Sequence, residues 1–159
     1  MSTMDLKRML AGVSAAAVGA IALGLIAPAL AADVTKQRLE NADREPQNWL
    51  TTFQNYSSHR FSRLNQINRD TVKNLKVAFT VPLSTGLVGR PDTQLEMPAM
   101  VDDGFLYIDD GAGVFYKIDV RGGNVGKTVW RTDTSLAKDQ QARSRGGAFW
   151  GDNFYHNLT

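Results

Sequence analysis

The chain has 159 residues, of which 43% are hydrophobic and 21% charged, and its formal net charge is +2. This balance is typical of a globular protein, and the charge is too small and too scattered to indicate a nucleic-acid partner. The chain has no cysteine, which excludes disulfides, thiolate catalysis, cysteine-ligated metals and a lipoprotein anchor.

Residues 1–31 have the composition of a secretory signal peptide. Lys7 and Arg8 precede an almost continuously apolar run over 9–26, and Pro-Ala-Leu-Ala follows at 28–31. A charged start, an apolar centre and small residues before a cut after position 31 are typical of export signals. An uncleaved membrane anchor is the alternative, because about 18 apolar residues can just span a bilayer. Pro28 and the small residues favour cleavage, so the remainder is expected in the periplasm.

Residues 32–75 are predicted to form an N-terminal arm that leads into the strands. The polar stretch 32–48 contains several helix formers and indicates a short helix or an ordered arm. From 49 to 64, aromatic residues are mixed with Ser, Asn and His, a composition that suits a segment lying against a core. Residues 68–71 offer a helix N-cap ahead of a short helical turn.

From Lys76 onward the sequence indicates short β-strands. Val77, Phe79 and Val81 alternate with less apolar residues, which is the period of a strand. Further strands, separated by turns rich in Gly and Asp, are predicted at 97–101, 105–108, 114–120 and 128–130, followed by a hairpin over 147–155 with its turn at 152–153. Strands at such short intervals predict an all-β sandwich, barrel or propeller.

Four blocks of the sequence resemble one known family. Residues 115–120 and 126–130 are similar to the quinoprotein propeller motif, in which an apolar strand ends in Asp, a Gly-Lys turn follows and a Trp comes next. The run from Trp49 to Leu75, with Arg-Phe-Ser-x-Leu-Asn-Gln-Ile-Asn at its centre, resembles the opening of PQQ-dependent (quinoprotein) alcohol and methanol dehydrogenases. The blocks at 96–108 and 145–152 continue this resemblance in family order, so the chain is similar to the N-terminal portion of such an enzyme.

The resemblance implies a partial eight-bladed β-propeller, preceded by the signal peptide and the arm. Residues 76–159 would form its first blades, because one blade takes about 40–50 residues. In the family, PQQ lies beside a Ca²⁺ or lanthanide ion, an alcohol is oxidised, and electrons pass to a cytochrome c or ubiquinone. The family's catalytic Asp and metal ligands lie far downstream, so no catalytic or metal-binding residue is expected here, and the chain alone is expected to be inactive.

Glu96 and Arg145 match family residues that contact PQQ, so the resemblance implies that they bind the cofactor. A guanidinium suits this role because it can donate two parallel hydrogen bonds to a carboxylate. The alternative for Arg145 is an ion pair with a nearby Asp at a strand end. Glu96 would need a proton or a bridging donor beside an anionic cofactor, and its alternative is a solvated carboxylate at the start of a strand.

Three positions depart from the family pattern. Asp139 and Gln140 stand where many members carry adjacent cysteines, and Ser144 stands where an Asn is expected. These departures leave the alcohol that the protein would oxidise open. The two histidines, His59 and His156, have no metal-ligand spacing and are predicted to be surface or hydrogen-bonding residues. The three tryptophans are predicted to pack against other residues rather than to stack on a cofactor: Trp49, Trp130 and Trp150.

Two other functions are compatible with short strands in an exported chain. A non-enzymatic periplasmic propeller scaffold built from the same repeats is one, and a carbohydrate-binding β-sandwich is the other. The block that opens the exported chain, together with Glu96 and Arg145, favours the dehydrogenase. Expected contacts are therefore a small alcohol and an electron acceptor, with the membrane met only through the signal peptide.

Overall fold

The computed structural model describes residues 33–83, 95–110, 113–132 and 145–157. The predicted signal peptide and the three departures from the family pattern, at positions 139, 140 and 144, lie outside these residues. Within the described ranges, no helix has the length and apolar character needed to cross a membrane.

The arm begins with a short helix, as the sequence predicted. Helix α1 spans Lys36–Glu40, and two 3-10 helices follow at Ala42–Arg44 and Val72–Asn74. Thr35 caps α1, because its side-chain oxygen accepts a hydrogen bond from the Arg38 backbone N–H at 3.3 Å. Leu39 is the buried residue of the helix and provides its contact with the apolar core.

Six strands form a four-stranded antiparallel sheet and a separate hairpin. The sheet has the order β1-β2-β3-β4, and β5 pairs with β6. The strands are β1 Met100–Asp102, β2 Phe105–Asp109, β3 Phe115–Asp119, β4 Lys127–Thr132, β5 Gly147–Trp150 and β6 Asn153–His156. A meander of four strands is the unit of a propeller blade, and the described strands close no barrel.

Two tight turns set the register of the strand pairs. Asp103 and Gly104 join β1 to β2 with φ values of 46° and 76°, the positive values that a two-residue hairpin requires. In the hairpin the predicted turn is shifted by one residue, since Asn153 already pairs with Trp150. Gly151 lies in the turn instead, with a φ of 62°. This backbone conformation is energetically unfavourable for a residue with a side chain, which explains why a glycine stands here.

The strand predicted near 77–81 is absent from the structure. These residues make no ladder with any described strand, and Val77 is 81% exposed. Phe79 and Val81 still point the same way, because a Cβ on Gly126 would lie 2.8 Å from the Phe79 ring and 2.4 Å from Val81. Alternation therefore placed Phe79 and Val81 on one face correctly, but a strand also requires a partner that supplies backbone hydrogen bonds.

The segment predicted to lie on a core does so only at its start. Leu50, Gln54 and Asn55 are buried, whereas the apolar residues that follow are exposed, namely Tyr56, Phe61, Leu64, Ile67, Val72 and Leu75. Asn68 does cap a turn, since its Oδ1 accepts the N–H groups of Asp70 and Thr71 at 2.9 and 3.1 Å.

The core lies between the four-stranded sheet, the hairpin and the arm. Its residues come from all three parts and are Val34, Leu39, Leu50, Met97, Met100, Phe105, Tyr107, Phe115 and Phe149. Phe115 stacks on Phe154 with ring centres 4.5 Å apart, and Tyr107 meets Phe149 edge-on at 4.8 Å. Trp130 packs on the same aromatic group, as predicted, but Trp150 is 56% exposed, so the packing prediction for it is wrong.

A polar cluster ties the arm to β1. Arg38 Nη2 donates to Glu45 Oε2 and to Asp102 Oδ1, both at 2.7 Å. Asn48 donates to Glu45 at 2.8 Å and accepts from the Asp103 backbone N–H at 3.0 Å. The hydrogen bond from Arg38 lowers the pKa of Glu45, whereas burial raises the pKa of Asp102. Asp102 therefore depends on Arg38 to remain charged in the interior.

Candidate functional site

The structure brings Glu96 and Arg145 into direct contact. Arg145 Nε donates to Glu96 Oε2 at 2.9 Å, although 49 residues separate the two in the chain. The side chain of Glu96 is 22% exposed and that of Arg145 is 79% exposed. Glu96 is therefore not a freely solvated carboxylate, and Arg145 forms an ion pair with a nearby acid, as its alternative predicted, although that acid is a Glu and not an Asp. The two residues predicted to share a site do lie at one place.

The arm brings the ends of two separate sheets together at this place. Glu96 precedes β1, and Arg145 lies two residues before β5. Trp49 exchanges backbone hydrogen bonds of 2.8 and 3.1 Å with Val101 of β1, and Thr51 bridges to Ala148 of β5. The segment from Trp49 to Thr51 is thus an extended link between β1 and β5. Because it pairs with both, it fixes the starts of the two strands side by side.

Thr52 supports the backbone on which Arg145 is held. Gly146 has a φ of 154°, and a Cβ at that position would lie 2.4 Å from Thr52 Oγ1. Only glycine fits so close to the arm without displacing one of the two segments. Sequence reasoning missed Thr52. The sequence shows a glycine directly after Arg145, but it does not show that Thr52, 94 residues away, packs against this glycine.

An open cavity of about 740 Å³ adjoins Arg145. Its other walls come from the arm, β5 and the end of β6, through Thr52, Gly146, Gly147, Ala148, Tyr155, His156 and Asn157. A second cavity, of about 610 Å³, is lined by Trp49, Thr52, Phe53, Arg60, Pro98, Ala99 and Val101. Thr52 belongs to both linings, so the two cavities adjoin the same part of the arm.

Arg145 can donate to a further acceptor in this cavity. Among the described residues, its one hydrogen bond is from Nε to Glu96, which leaves both terminal nitrogens available. Their planar geometry matches a carboxylate. Glu96 neutralises part of the charge and orients the guanidinium, because Nε is held while the outer edge stays exposed.

The residues present fit one edge of PQQ. That cofactor, a planar quinone with three carboxylates, needs cations for its acid groups, apolar surfaces for its ring and oxygen ligands for the accompanying metal. Arg145 supplies a cation, and the exposed ring of Tyr155 supplies one apolar wall. The described ranges contain no cluster of three or more side chains suited to hold a metal. The described residues therefore suit a carboxylate of PQQ, but they do not supply a set of ligands for the accompanying metal.

The two histidines have different surroundings. The His59 ring is 3.2 Å from the Asn55 amide nitrogen, and its backbone N–H donates to Asn55 Oδ1, so the prediction of a hydrogen-bonding residue is confirmed. His156 is half-buried and stacks on Phe115 with ring centres 4.8 Å apart. Its buried Nδ1 makes no hydrogen bond within the described structure, so this residue is partly at the surface and packs against an aromatic ring.

The sequence matches an established protein family over most of its length. The family model for the glucose/ethanol/alcohol dehydrogenase β-propeller domain of PQQ proteins covers residues 49–157. A quinohemoprotein alcohol dehydrogenase, ADH-IIG of Pseudomonas putida, is 31% identical over 80% of this chain and 18% of its own length. The dehydrogenase subunit of a quinone-linked alcohol dehydrogenase from Gluconacetobacter polyoxogenes is also 31% identical, over 76% of this chain and 16% of its own.

Solved structures agree with the sequence comparison. The chain superposes on ADHIIG of Pseudomonas putida HK5 with a TM-score of 0.67 and 27% identity, over 82% of this chain and 19% of that one. The quinohemoprotein alcohol dehydrogenase of Comamonas testosteroni gives a TM-score of 0.61 and 30% identity, over 74% and 17%. The chain thus spans about a fifth of the length of these relatives.

Proposed function

Because the chain belongs to the family of PQQ-dependent glucose, ethanol and alcohol dehydrogenase propellers, we propose that it supplies the first blades of a periplasmic alcohol-oxidising quinoprotein. The observation that carries the proposal is the pairing of Glu96 and Arg145 beside a cavity. These are the two positions that the family resemblance assigns to the cofactor.

In this proposal the chain holds the acid side of PQQ. Arg145 binds a carboxylate through its terminal nitrogens, and Glu96 keeps the guanidinium in place. Thr52 and Gly146 set the position of the Arg145 backbone. PQQ, when bound, supplies a quinone that accepts the two electrons of the alcohol. The Ca²⁺ or lanthanide ion and the acceptor, a cytochrome c or ubiquinone, belong to the proposal through the family resemblance.

The 159-residue chain alone is proposed to be inactive. It spans about a fifth of its relatives, and an open set of blades leaves strand edges unpaired. We expect no alcohol-dependent dye reduction from this chain with added PQQ and Ca²⁺. Turnover by the isolated chain would contradict this part of the proposal.

A chimaera tests the proposal as a whole. Residues 33–157 would replace the matching segment of ADH-IIG from Pseudomonas putida, and alcohol-dependent dye reduction would be measured with PQQ and Ca²⁺. We expect activity from the chimaera and a fall of at least about tenfold in kcat/KM for Arg145→Met, which is the effect of removing one strong charge-assisted contact.

Arg121→Met is the matched control for this chimaera. Arg121 is also exposed, but it is bonded to Asp119 at 2.6 Å in the turn after β3, away from the cavity. Its loss is expected to leave kcat/KM within twofold. A chimaera with normal circular dichroism that shows no PQQ-dependent activity would refute the proposed function.

A further inference from the structure

A third cavity, of about 330 Å³, lies between the four-stranded sheet and the hairpin. Tyr107, Lys117 and Trp130 line it from the sheet, and they are direct partners across β2, β3 and β4. Direct partners project from the same face of a sheet. The Trp130 ring accordingly lies 6.4 Å from that of Tyr107, and Lys117 Nζ lies 5.4 Å from the same ring. Strand pairing thus fixes the direction of this wall.

The hairpin supplies the opposite wall. Phe149 and Phe154 are partners across β5 and β6, and both pack on the Tyr107 ring, at 4.8 and 5.6 Å. Alternation along the strands places Ala148 and Tyr155 on the other face of the hairpin, where they line the first cavity. The two cavities share no lining residue among those described, so they are separate sites.

Two deeply buried side chains present oxygen atoms to the third cavity. Asp102 and Tyr107 line it and are 2% and 6% exposed. They share a face of the sheet, because Asp102 lies two residues after Met100, the partner of Tyr107. Asp102 Oδ1 accepts from Arg38. Asp102 Oδ2 and the Tyr107 hydroxyl have no hydrogen bond within the described ranges, yet neither is among the polar atoms buried there without a partner. Each oxygen therefore keeps accessible surface on the cavity side.

Lys117 and Tyr107 give the cavity two hydrogen-bond donors. Lys117 Nζ lies 4.3 Å from the centre of the Phe105 ring, and it forms no ion pair with a described residue. Burial raises the pKa of Tyr107 to about 12, so its hydroxyl stays protonated at neutral pH. Both groups are thus available to donate to a ligand.

The charges around the cavity favour a neutral ligand. The exposed residues Asp33 and Asp152 line it together with Asp102, so an anion would face three carboxylates. An organic cation would face Lys117, and the described ranges hold no cluster suited to a metal. A neutral molecule with several hydroxyls satisfies both signs, because each hydroxyl donates and accepts.

We propose that this cavity binds a monosaccharide or a cyclic polyol. Tyr107 and Lys117 donate to its oxygens, and Asp102 Oδ2 accepts from one of its hydroxyls. The Trp130 ring, which is 37% exposed, offers a flat apolar surface to the C–H face of the ligand. The volume of the cavity is at the lower end of the range for small-molecule sites, which suits a single sugar ring. The inference is independent of PQQ and stands or falls separately from the proposed function.

NMR of the full, ¹⁵N-labelled chain tests the inference. D-glucose, D-galactose and myo-inositol are each titrated to millimolar concentration, and the indole Nε1–H resonances of Trp49, Trp130 and Trp150 are followed. We expect at least one of the three compounds to shift Trp130 in a saturable way and to leave Trp150, which is outside the cavity, unchanged. If none shifts Trp130, or if Trp150 shifts equally, the inference is wrong.

Cyclohexanol and sodium acetate are the ligand controls. Cyclohexanol has a six-membered ring but one hydroxyl, and acetate is a small anion. Neither is expected to give a saturable shift of Trp130. A response to cyclohexanol equal to that of the polyols would assign the cavity to apolar ligands, and an equal response to acetate would assign it to anions. Either result would overturn the proposed ligand class.

Variants test the two donors. Tyr107→Phe and Lys117→Met are each expected to raise the dissociation constant of the bound polyol about fivefold, since each removes one hydrogen bond. Tyr56→Phe is the matched control, because it removes a hydroxyl from a residue that is 67% exposed and outside the cavity. Circular dichroism checks folding, and the half-buried Lys117 keeps the test decisive if Tyr107→Phe unfolds. Wild-type affinity in the folded cavity variants would refute the inference.

Discussion

Arg38 forms the ion pairs that hold the arm against β1. It connects Glu45 in the arm to Asp102 at the end of β1, and the Asp102 side chain is only 3% exposed. A buried carboxylate without its cation costs far more than an exposed one. These ion pairs therefore fix the position of the arm relative to β1. The bridge from Thr51 of the arm to Ala148 of β5 depends on that position.

We expect Arg38→Met to lower the free energy of unfolding by about 3 kcal/mol at pH 7.5, because Asp102 is left buried without a cation. The loss should shrink toward pH 5. The pKa of Asp102 is already raised by burial, so without Arg38 the folded state binds a proton more readily than the unfolded state. Its stability then increases as the pH falls. Urea denaturation at both pH values measures this.

Lys36→Met is the control for this change. The ion pair of Lys36 with Glu40 is exposed, with side chains 74% and 52% accessible. Such a pair contributes about 0.5 kcal/mol or less. A loss from Lys36→Met as large as that from Arg38→Met would show that burial of Asp102 is not the cause.

At the scale of elements, the extended segment from Trp49 to Thr52 acts as a link between two sheets. It bonds to Val101 in β1 and bridges to Ala148 in β5. The candidate site then follows from this geometry, since Glu96 and Arg145 lie just ahead of those two strands. The close approach of Thr52 to Gly146 is the tightest point of the link.

Gly146→Ala is expected to destabilise the protein by about 2 kcal/mol and to displace Arg145. The new methyl group would lie 2.4 Å from Thr52 Oγ1, at a φ of 154° that disfavours side chains. Adding Thr52→Ala should recover about 1 kcal/mol, because it removes the clash and leaves the backbone strain. Thermal unfolding measures the stability, and the Arg145 Nε–H chemical shift reports the displacement.

Gly151→Ala isolates the backbone strain from the clash. Gly151 also has a positive φ, 62°, but nothing lies within 4 Å of the position of its missing Cβ. Its replacement is expected to cost about 1 kcal/mol and to show no recovery with Thr52→Ala. If Thr52→Ala recovered the same amount of stability in both glycine variants, the steric clash between Thr52 and residue 146 would not be the cause of the destabilisation.

At the scale of the whole molecule, the described ranges expose many large apolar side chains. The exposed large apolar residues include Tyr56, Phe61, Ile67, Leu75, Val77, Val129 and Trp150. Strand β4 ends the four-stranded sheet, and every one of its residues is exposed. A neighbouring blade would cover such surfaces in a complete propeller, so the isolated chain is expected to self-associate.

We expect Val129→Lys to weaken this self-association while leaving the circular dichroism unchanged, because a lysine on an edge strand opposes pairing with another chain. Sedimentation velocity measures the change. Val125→Lys is the control, since Val125 is similarly exposed, at 57% against 50% for Val129, but lies before β4. An equal reduction by both variants would show that net charge, rather than the edge of β4, governs association.

The sequence by itself determined the existence and order of the strands from β1 to β6, with bounds that differ by up to three residues, because alternating apolar residues and Gly/Asp turns are local signals. It also identified the family and the two residues of the candidate site. The strand expected near Val77 failed because a strand needs a partner, which no local pattern supplies.

Only the tertiary structure decided which distant residues meet. It paired Arg145 with Glu96, placed Thr52 under Gly146, and packed His156 against Phe115. The physical reason is that the arm bonds to β1 and β5 through backbone groups, which every residue carries and no side-chain pattern reveals.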